Sequence, residues 1–262
     1  MLIPFTKMQA QGNDFVILNL LGQTEVKYQL DELAEDVCEP AFGIGADGLV
    51  ALLDDSEADA RMLIYNSDGS RAAMCGSALR CCAQLLGSLL DKTELTLNTD
   101  SGLKAARLER IPAGDRVCVN LGQPRMLNGE ASLNGLLGCL VDVGNLHYVT
   151  FWDDLQDQHL VHGEAIEKHH PYDRGVNSQF VEVISRQEIL MNIWENGVGP
   201  TLACGTGAVA SVFCGCQKGR LAAPVTVTMP GGTVLIDILE DGSYTLAGEV
   251  ETVFNGVYRW KI

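Results

Sequence analysis

The strongest constraint on the fold is an internal repeat whose offset is close to half the chain length. Five short motifs of this 262-residue chain recur 129 to 132 residues later, in the same order. The pairs are GNDF at Gly12 with GNLH at Gly144, GIGAD ending at Asp47 with RGVN ending at Asn177, Leu63-Ile64-Tyr65 with Asn192-Ile193-Trp194, AMCGSA around Cys75 with LACGTG around Cys204, and NTDSG ending at Gly102 with TMPGG ending at Gly232. Each match is short, but five collinear matches at nearly one offset indicate a duplicated unit.

Local patterns predict that the duplicated unit belongs to the α+β class. Gly and Pro interrupt the sequence at short intervals, and the β-branched runs between them predict many short strands. Helical periodicity is confined to four segments, Leu30–Cys38, Ser77–Leu90, Gly163–Lys168 and Thr206–Lys218. We therefore expect two similar α+β halves related by a pseudo-twofold axis, with a small ligand bound in the cleft between them.

Charge and segment composition exclude several classes of partner. Lys plus Arg number 18 and Asp plus Glu 34, which gives a formal net charge of −16. Nucleic acids and anionic membranes are bound by clustered positive charge, so neither is an expected partner. The N-terminus lacks the features of a secretory signal, and no apolar run approaches the length of a membrane span. Nine cysteines without an export signal predict a reducing cytoplasm.

Cys75 and Cys204 occupy equivalent positions in the two copies. Each follows a strand and a polar Gly-rich turn, and each stands at or just before the start of a predicted helix. The free N–H groups and the dipole at a helix N-terminus favour a thiolate and lower a thiol pKa from about 8.5. Small residues follow each cysteine, so that their backbone N–H groups stay open to a carboxylate. They are Gly76 and Ser77 in the first copy and Gly205 and Thr206 in the second.

Two such thiols suit the inversion of a tetrahedral carbon by proton transfer. One cysteine as thiolate removes the α-proton, and the other as thiol returns a proton from the opposite face. The carbanion is stabilised because its charge spreads into a carboxylate held by the two helix N-termini. This chemistry requires no cofactor, and no lysine of the chain lies in a motif typical of a Schiff base.

The motifs together resemble those of the diaminopimelate epimerase family. GNDF, GIGADG, YNSDGS, NTDSG, GNLH, GVN, WENGVGPTLACGTGA and MPGG occur in the family order and span nearly the whole chain. The resemblance implies two halves, each a curved, mostly antiparallel sheet or barrel around a central helix, with the C-terminal strand returning to the first half. The halves are placed at residues 1–115, with the strand 251–262, and at residues 116–250.

The same resemblance implies a function and the residues that perform it. It implies a pyridoxal-phosphate-independent homodimeric enzyme that converts LL- to meso-diaminopimelate for lysine and peptidoglycan synthesis. Cys75 and Cys204 correspond to the two acid/base residues, and His147 and Glu195 to positions close to the reacting carbon. Backbone N–H groups for the α-carboxylate would come from Gly76, Ser77, Gly205 and Thr206. Side-chain amides around the substrate would come from Asn13, Asn66, Asn145, Asn177 and Asn196.

One departure from the family pattern leaves the substrate open. The family's Glu-Arg-Gly is Glu195-Asn196-Gly197 here, and its CGNG has Ser77-Ala78 after Cys75-Gly76. The family Arg would clamp the distal carboxylate of diaminopimelate with a charge-assisted contact worth roughly 1.5–3 kcal/mol, which Asn cannot reproduce. The alternative substrate is therefore an amino acid without a distal carboxylate, such as histidine. A cation from elsewhere would restore diaminopimelate, and the candidates are Arg71, Arg80 and Arg174.

The remaining cysteines, histidines and glycines are interpreted as structural. Core positions are expected for Cys38, Cys81, Cys82, Cys118, Cys139, Cys214 and Cys216. No metal site is predicted, because His159, His162, His169 and His170 lack metal-ligand spacing. GIGADG fits GxGxxG, but it follows a helix and precedes a strand, the reverse of the dinucleotide-binding order. A non-catalytic thiol sensor, in which Cys75 and Cys204 form a disulfide, is the alternative from another class.

Overall fold

The computed structural model describes residues 1–23, 25–27, 29–111, 114–169, 171–172 and 175–261. Its first elements are β1 (Leu2–Ala10), β2 (Asn13–Asn19), α1 (Leu30–Cys38), β3 (Gly48–Leu53), β4 (Ala60–Asn66), β5 (Arg71–Ala72), α2 (Gly76–Leu90), β6 (Glu94–Thr99), β7 (Gly102–Ile111) and β8 (Gly114–Asn120). They continue with β9 (Arg125–Leu133), β10 (Leu136–Asp142), β11 (Leu146–Trp152), α3 (Gln158–His169), β12 (Asn177–Ser185), β13 (Glu188–Glu195), β14 (Gly199–Pro200), α4 (Gly205–Gln217), β15 (Val225–Met229), β16 (Gly232–Ile238), β17 (Tyr244–Glu249) and β18 (Glu251–Arg259). The predicted α+β class is confirmed.

The chain divides into two compact units. The first contains Met1–Val119 and Gly248–Ile262, and the second contains Asn120–Ala247. β18 pairs antiparallel with β1, from Leu2 opposite Arg259 to Gln9 opposite Glu251. The C-terminal strand is therefore part of the sheet of the first unit. The boundaries placed after residues 115 and 250 from the sequence stay a prediction about the duplicated halves.

The two units share one order of elements. In the first unit β1 and β2 form an antiparallel hairpin, α1 leads from β2 to the parallel strand β3, and β3 pairs antiparallel with β4. In the second unit β10, β11, α3, β12 and β13 follow the same course. Each unit continues with a two-residue strand, a helix, and a strand parallel to β4 or β13. The repeat in the sequence is thus a repeat of topology.

Helices α2 and α4 are the central helices of their units. α2 packs against β1, β2, β4, β6 and β7, and α4 packs against β10, β11, β12 and β16. Small residues allow α4 to lie close to its neighbours, because a Cβ on Gly207 would come within 2.7 Å of Gln179 and one on Gly215 within 2.4 Å of Leu221. Close packing of this kind fixes the position of α4 within its own unit.

The structure moves the start of one predicted helix by more than a turn, and other predicted helix bounds differ by one residue. The helix predicted at Gly163–Lys168 already begins at Gln158. Gly163 is of a residue type that is unfavourable inside a helix. It lies inside α3 because the helix packs so closely on Trp194 that a Cβ on Gly163 would come within 2.4 Å of the indole ring. None of the four helices among the described residues is long and apolar enough to cross a membrane.

The cysteines expected in the core differ from one another. Cys38, Cys81 and Cys82 are buried as predicted. Cys139 and Cys214 are also buried, but a disulfide that the sequence did not predict joins β10 to α4 there, with Cα atoms 6.6 Å apart. Core positions were wrong for Cys118 and Cys216, which are half-buried. Cys118 alternates along β8 with buried Val117 and Val119, and Cys216 lies in the last turn of α4 beside exposed Gln217.

Candidate active site

Cys75 is the N-cap residue of α2. Its backbone is extended, with φ −138° and ψ 126°, and its carbonyl accepts the N–H of Leu79 at 2.9 Å. The predicted position at a helix N-terminus is therefore confirmed. The Nδ2 of Asn13 approaches the Cys75 sulfur at 3.8 Å. A tight turn brings Asn13 there, because Gln11 and Gly12 have positive φ angles of 52° and 80° just before β2 begins.

Asn66, the second amide predicted in this unit, ends β4. Its Nδ2 donates to the hydroxyl of Ser70 at 2.9 Å, and its backbone N–H donates to the Ser70 carbonyl at 2.8 Å. Gly69 closes this turn with a φ of 76°. The turn leads into β5 and then to Cys75, so that Asn66 is held in the segment that precedes α2.

Cys204 repeats the geometry of Cys75 in the second unit. It is the N-cap residue of α4, with φ −141° and ψ 105°, and its carbonyl accepts the N–H of Ala208 at 2.9 Å. The residue is 6% exposed. The hydroxyl of Thr206 lies 3.7 Å from its sulfur, a contact that adds a side-chain group to the backbone role predicted for Thr206.

His147 is buried between two side-chain amides. Its Nε2 lies 3.0 Å from the Oδ1 of Asn145, and its Nδ1 lies 3.1 Å from the Oε1 of Gln179. Burial lowers the pKa of His147 to about 4, against a smaller opposing effect of the Gln179 hydrogen bond. The neutral ring donates from one nitrogen and accepts at the other. Both ring nitrogens face an amide oxygen, so one of them lacks a donor. A 180° rotation of the Gln179 amide, whose Nε2 is buried without a described partner, would turn that NH₂ group toward Nδ1 as the donor.

Asn177 and Asn196 are linked to each other. The Oδ1 of Asn177 accepts the backbone N–H of Asn196 at 3.1 Å, and its Nδ2 donates to the carbonyl of Leu146 at 3.2 Å. The side chain of Asn196 lies against Gly175, where a Cβ would come within 2.3 Å of it and where φ is 72°. Glu195 is half-buried, and its Oε1 accepts a hydrogen bond from Thr201 at 2.7 Å.

Glu167 on α3 organises the same turn and was missed by the sequence analysis. Its Oε2 accepts the indole N–H of Trp194 at 2.6 Å, and its Oε1 accepts the backbone N–H of Gly197 at 2.8 Å. One carboxylate therefore fixes both ends of the turn that contains Glu195 and Asn196. The available signal was weak, since a glutamate on an amphipathic helix is usually a solvated side chain.

The structure tests the candidate replacements for the missing family arginine. Arg71 forms an ion pair with Asp100 at 2.6 Å. Arg80 is 1% exposed, so a substrate carboxylate cannot reach it. Arg174 lies outside the described residues, as does His170 of the metal prediction. No cluster of His, Cys, Asp and Glu that could hold a metal ion is found in the part of the chain that the structure describes.

Comparison with known proteins identifies the family. The diaminopimelate epimerase family model matches residues 5–127 and 139–253. A diaminopimelate epimerase of Desulforudis audaxviator is 41% identical over 274 residues, which cover 96% of this chain and 98% of the relative. One of Gloeothece citriformis is 37% identical, with 98% of this chain and 99% of the relative covered.

Solved structures share the fold at low sequence identity. A hydroxyproline epimerase from Agrobacterium vitis has a TM-score of 0.71 at 17% identity, with 98% of this chain and 92% of that chain covered. A PhzF-family phenazine biosynthesis protein from Bacillus anthracis has a TM-score of 0.72 at 15% identity, with 99% and 100% covered. The fold is thus one that proteins named as epimerases possess. By family model and sequence identity, the chain belongs to the diaminopimelate epimerase family.

Removing the charge of Glu167 tests its hold on the turn. In Glu167→Gln one amide oxygen remains for two N–H donors, and the NH₂ group faces a donor. We expect kcat/KM to fall by about tenfold or more, because a charge-assisted hydrogen bond is worth about 1.5–3 kcal/mol, and the Trp194 fluorescence to change. Glu164→Gln is the matched control, since Glu164 lies on the same helix and pairs with Lys168. Equal kinetics for both variants would contradict the role of Glu167.

The burial of neutral His147 predicts a pH-dependent stability. The pKa of His147 is about 4 in the folded protein, against 6.5 for an ordinary histidine, so protonation favours the unfolded chain between these values. The contribution is complete above pH 6.5 and is lost toward pH 4, at up to about 1.4 kcal/mol per pH unit.

Urea unfolding of the wild type and His147→Gln from pH 8 to pH 4 measures this contribution. The variant keeps an amide that can bond to Asn145 and Gln179 but does not titrate, so its free energy of unfolding should depend less on pH below 6.5. At pH 8 His147 is neutral in the folded and the unfolded protein. The difference in free energy of unfolding between wild type and variant therefore reports only the lost packing and hydrogen bonds. Identical pH slopes for the two proteins would show that His147 is not buried in the neutral form.

Proposed function

We propose that this chain is a pyridoxal-phosphate-independent epimerase that converts LL- to meso-diaminopimelate in lysine and peptidoglycan synthesis. The observation that carries the proposal is the equivalent placement of Cys75 and Cys204. Each is the N-cap residue of the central helix of its unit, in a chain of the diaminopimelate epimerase family. Core packing alone would not require a cysteine at the N-cap position of both central helices, nor the same backbone geometry at both.

In the proposed reaction the two thiols act on opposite faces of Cα. The thiolate of one cysteine takes the α-proton, so that an S–H bond forms and the Cα–H bond breaks. The electron pair is delocalised into the α-carboxylate. The thiol of the other cysteine then gives its proton to the opposite face and becomes the thiolate. Cys75 and Cys204 exchange roles in each turnover, and proton exchange with solvent restores the starting state.

The α-carboxylate is proposed to bind the open N–H groups at the two helix starts. The first N–H groups of a helix have no partner inside it, and they carry the positive end of the dipole. The four residues concerned are Gly76, Ser77, Gly205 and Thr206. In this proposal Glu195, held by Thr201, accepts from the substrate ammonium, and His147 acts by fixing the amide of Asn145.

The distal carboxylate is proposed to meet neutral donors in place of the family arginine. Asn196 is exposed, and its backbone is tied to Asn177. The remaining amides of the proposed substrate shell are Asn13, Asn66 and Asn145. Neutral donors provide weaker carboxylate binding than a guanidinium, so the proposal includes a higher KM for diaminopimelate than an arginine at position 196 would give.

Location and assembly complete the proposal. A reducing cytoplasm would keep Cys75 and Cys204 as thiols, while the Cys139–Cys214 disulfide is fully buried and so shielded from thiol exchange. A homodimer is favoured by exposed apolar side chains on the outer face of the β1 and β18 pair, where Leu2 is 64% and Val257 62% exposed. Nucleic acids and membranes are not proposed as partners. A monomeric mass in sedimentation equilibrium would contradict the dimer.

The reaction and its substrate are tested together by incubation with single L-amino acids in D₂O. We expect deuterium at Cα of diaminopimelate and none at Cα of histidine. Cys75→Ser and Cys204→Ser should each lower the epimerisation rate at least 100-fold, because general acid/base groups contribute about 10²–10⁴ in rate. Cys216→Ser, on the same helix as Cys204 but at its other end, is the control and should retain activity.

The other outcomes assign the alternatives. Deuterium exchange only at an amino acid without a distal carboxylate, such as histidine, would assign that amino acid as the substrate. A protein that exchanges no amino acid, and responds to oxidant only when Cys75 and Cys204 are both present, would be the thiol sensor.

A further inference from the structure

Arg80 is a buried cation for which the described residues supply no carboxylate partner. It lies in α2, five residues after Cys75, and is 1% exposed. Its guanidinium donates to three neutral acceptors at long distances, the carbonyl of Gly76 at 3.4 Å, the hydroxyl of Ser77 at 3.5 Å and the carbonyl of Glu249 at 3.5 Å. The ion pairs among the described residues do not include it.

A charge in this environment requires compensation. An unpaired buried ion costs several kcal/mol relative to water, and three neutral hydrogen bonds replace little of its hydration. Burial lowers the pKa of Arg80 to about 10, so the guanidinium remains protonated at neutral pH. A nearby group that can become negative is therefore stabilised in its ionised form.

The Arg80 guanidinium reaches Gly76 and Ser77, the two residues that follow Cys75, and its charge interacts with the thiols of Cys81 and Cys75. Burial raises the pKa of Cys81 to about 12, so this thiol is neutral at physiological pH. The pKa of Cys82 is raised well above its ordinary value by the same cause. Cys75 differs from both, because it is half-buried and N-caps the helix, with the amide of Asn13 directed at its sulfur.

We propose that Arg80 is a positioning residue for Cys75, and that its buried guanidinium supplies the positive charge that stabilises the Cys75 thiolate. The inference rests on the proposed function, in which Cys75 must serve as a thiolate in one direction of the reaction. Arg80 also holds the first turn of α2 through Gly76 and Ser77. The Glu249 carbonyl accepts from Gln11 at 2.9 Å as well, which ties the same turn to the loop before Asn13.

In the described part of the chain, Arg80 is a cation that acts on Cys75, and several other charged groups around α2 are paired with each other. Asp14 of β2 contributes a negative charge at Cys81, and Lys7 of β1 is paired with Asp14. Arg61 of β4 is paired with Asp100. The other titratable side chains on strands packed against α2 are Tyr65 of β4, Glu94 of β6, and Lys104, Arg107, Glu109 and Arg110 of β7, of which Arg107 and Glu109 form an ion pair. Glu249 presents its carbonyl, and its side chain is exposed.

The test measures the ionisation of Cys75 directly and needs no substrate. The rate of alkylation by iodoacetamide is recorded against pH, and the label at Cys75 is located by peptide mapping. Arg80→Met removes the charge at similar size, and Arg80→Gln removes it but keeps hydrogen-bond donors. Arg80→Lys keeps the charge. Arg71→Met is the matched control, because Arg71 is a half-exposed arginine paired with Asp100.

The expected result separates the charge from a structural role. A cation next to an ionisable group shifts its pKa by about one unit or more. In Arg80→Met and Arg80→Gln the midpoint of Cys75 alkylation should therefore rise by about one pH unit, with about tenfold slower labelling at pH 7. Arg80→Lys and Arg71→Met should stay close to the wild type.

Two results would overturn the assignment. One is an unchanged midpoint in both neutral variants. The other is an Arg80→Lys shift as large as that of Arg80→Gln, which would indicate that the shape of the guanidinium matters and its charge does not. If Arg80→Met does not fold, Arg80→Gln and Arg80→Lys still decide the question. Failure of the wild type to exchange deuterium with any amino acid would refute the proposed function and leave this measurement unaffected.

Discussion

The proposed chemistry depends on the first turn of two helices, where backbone N–H groups have no partner inside the helix. Cys75 and Cys204 stand at the N-cap positions of α2 and α4 with nearly the same backbone angles. Each cysteine therefore stands at a helix end whose amides favour negative charge. The same amides can hold the carboxylate of a substrate. Duplication of one unit supplies this arrangement twice, which is what a reaction with a base on one face and an acid on the other requires.

The side chains that support these helix starts are mostly neutral amides and buried groups. His147 is kept neutral by burial and lies between Asn145 and Gln179. A Cβ on Gly207 in the first turn of α4 would meet that same Gln179. Glu167 acts indirectly, because its carboxylate fixes the turn that contains Glu195. The two halves thus differ in how they are supported. The first unit places a buried guanidinium next to its helix start, and the second places a histidine and amide network there.

The sequence predicted the features that depend on local patterns. The bounds of α1, the N-cap positions of both cysteines and the duplicated topology all follow from periodicity, glycine positions and motif spacing. Features that depend on packing between distant segments were not predictable. β1 carries no clear apolar alternation, because Thr6 and Lys7 interrupt it, and Lys7 is buried with Asp14 as its ion-pair partner. Gln179, Glu167 and the Cys139–Cys214 bond likewise depend on partners far apart in the sequence.

The central claim is that two different thiols act on one carbon, and the early time course of deuterium incorporation tests it most directly. Each epimer is incubated separately in D₂O, and the deuterium content of substrate and product is followed by mass spectrometry while little has been converted. Two bases predict that the product carries deuterium at Cα while the remaining substrate stays protonated, in both directions. Deuterium that enters the remaining substrate as fast as product forms, or product that retains the substrate's own proton, would contradict the account and indicate a single base.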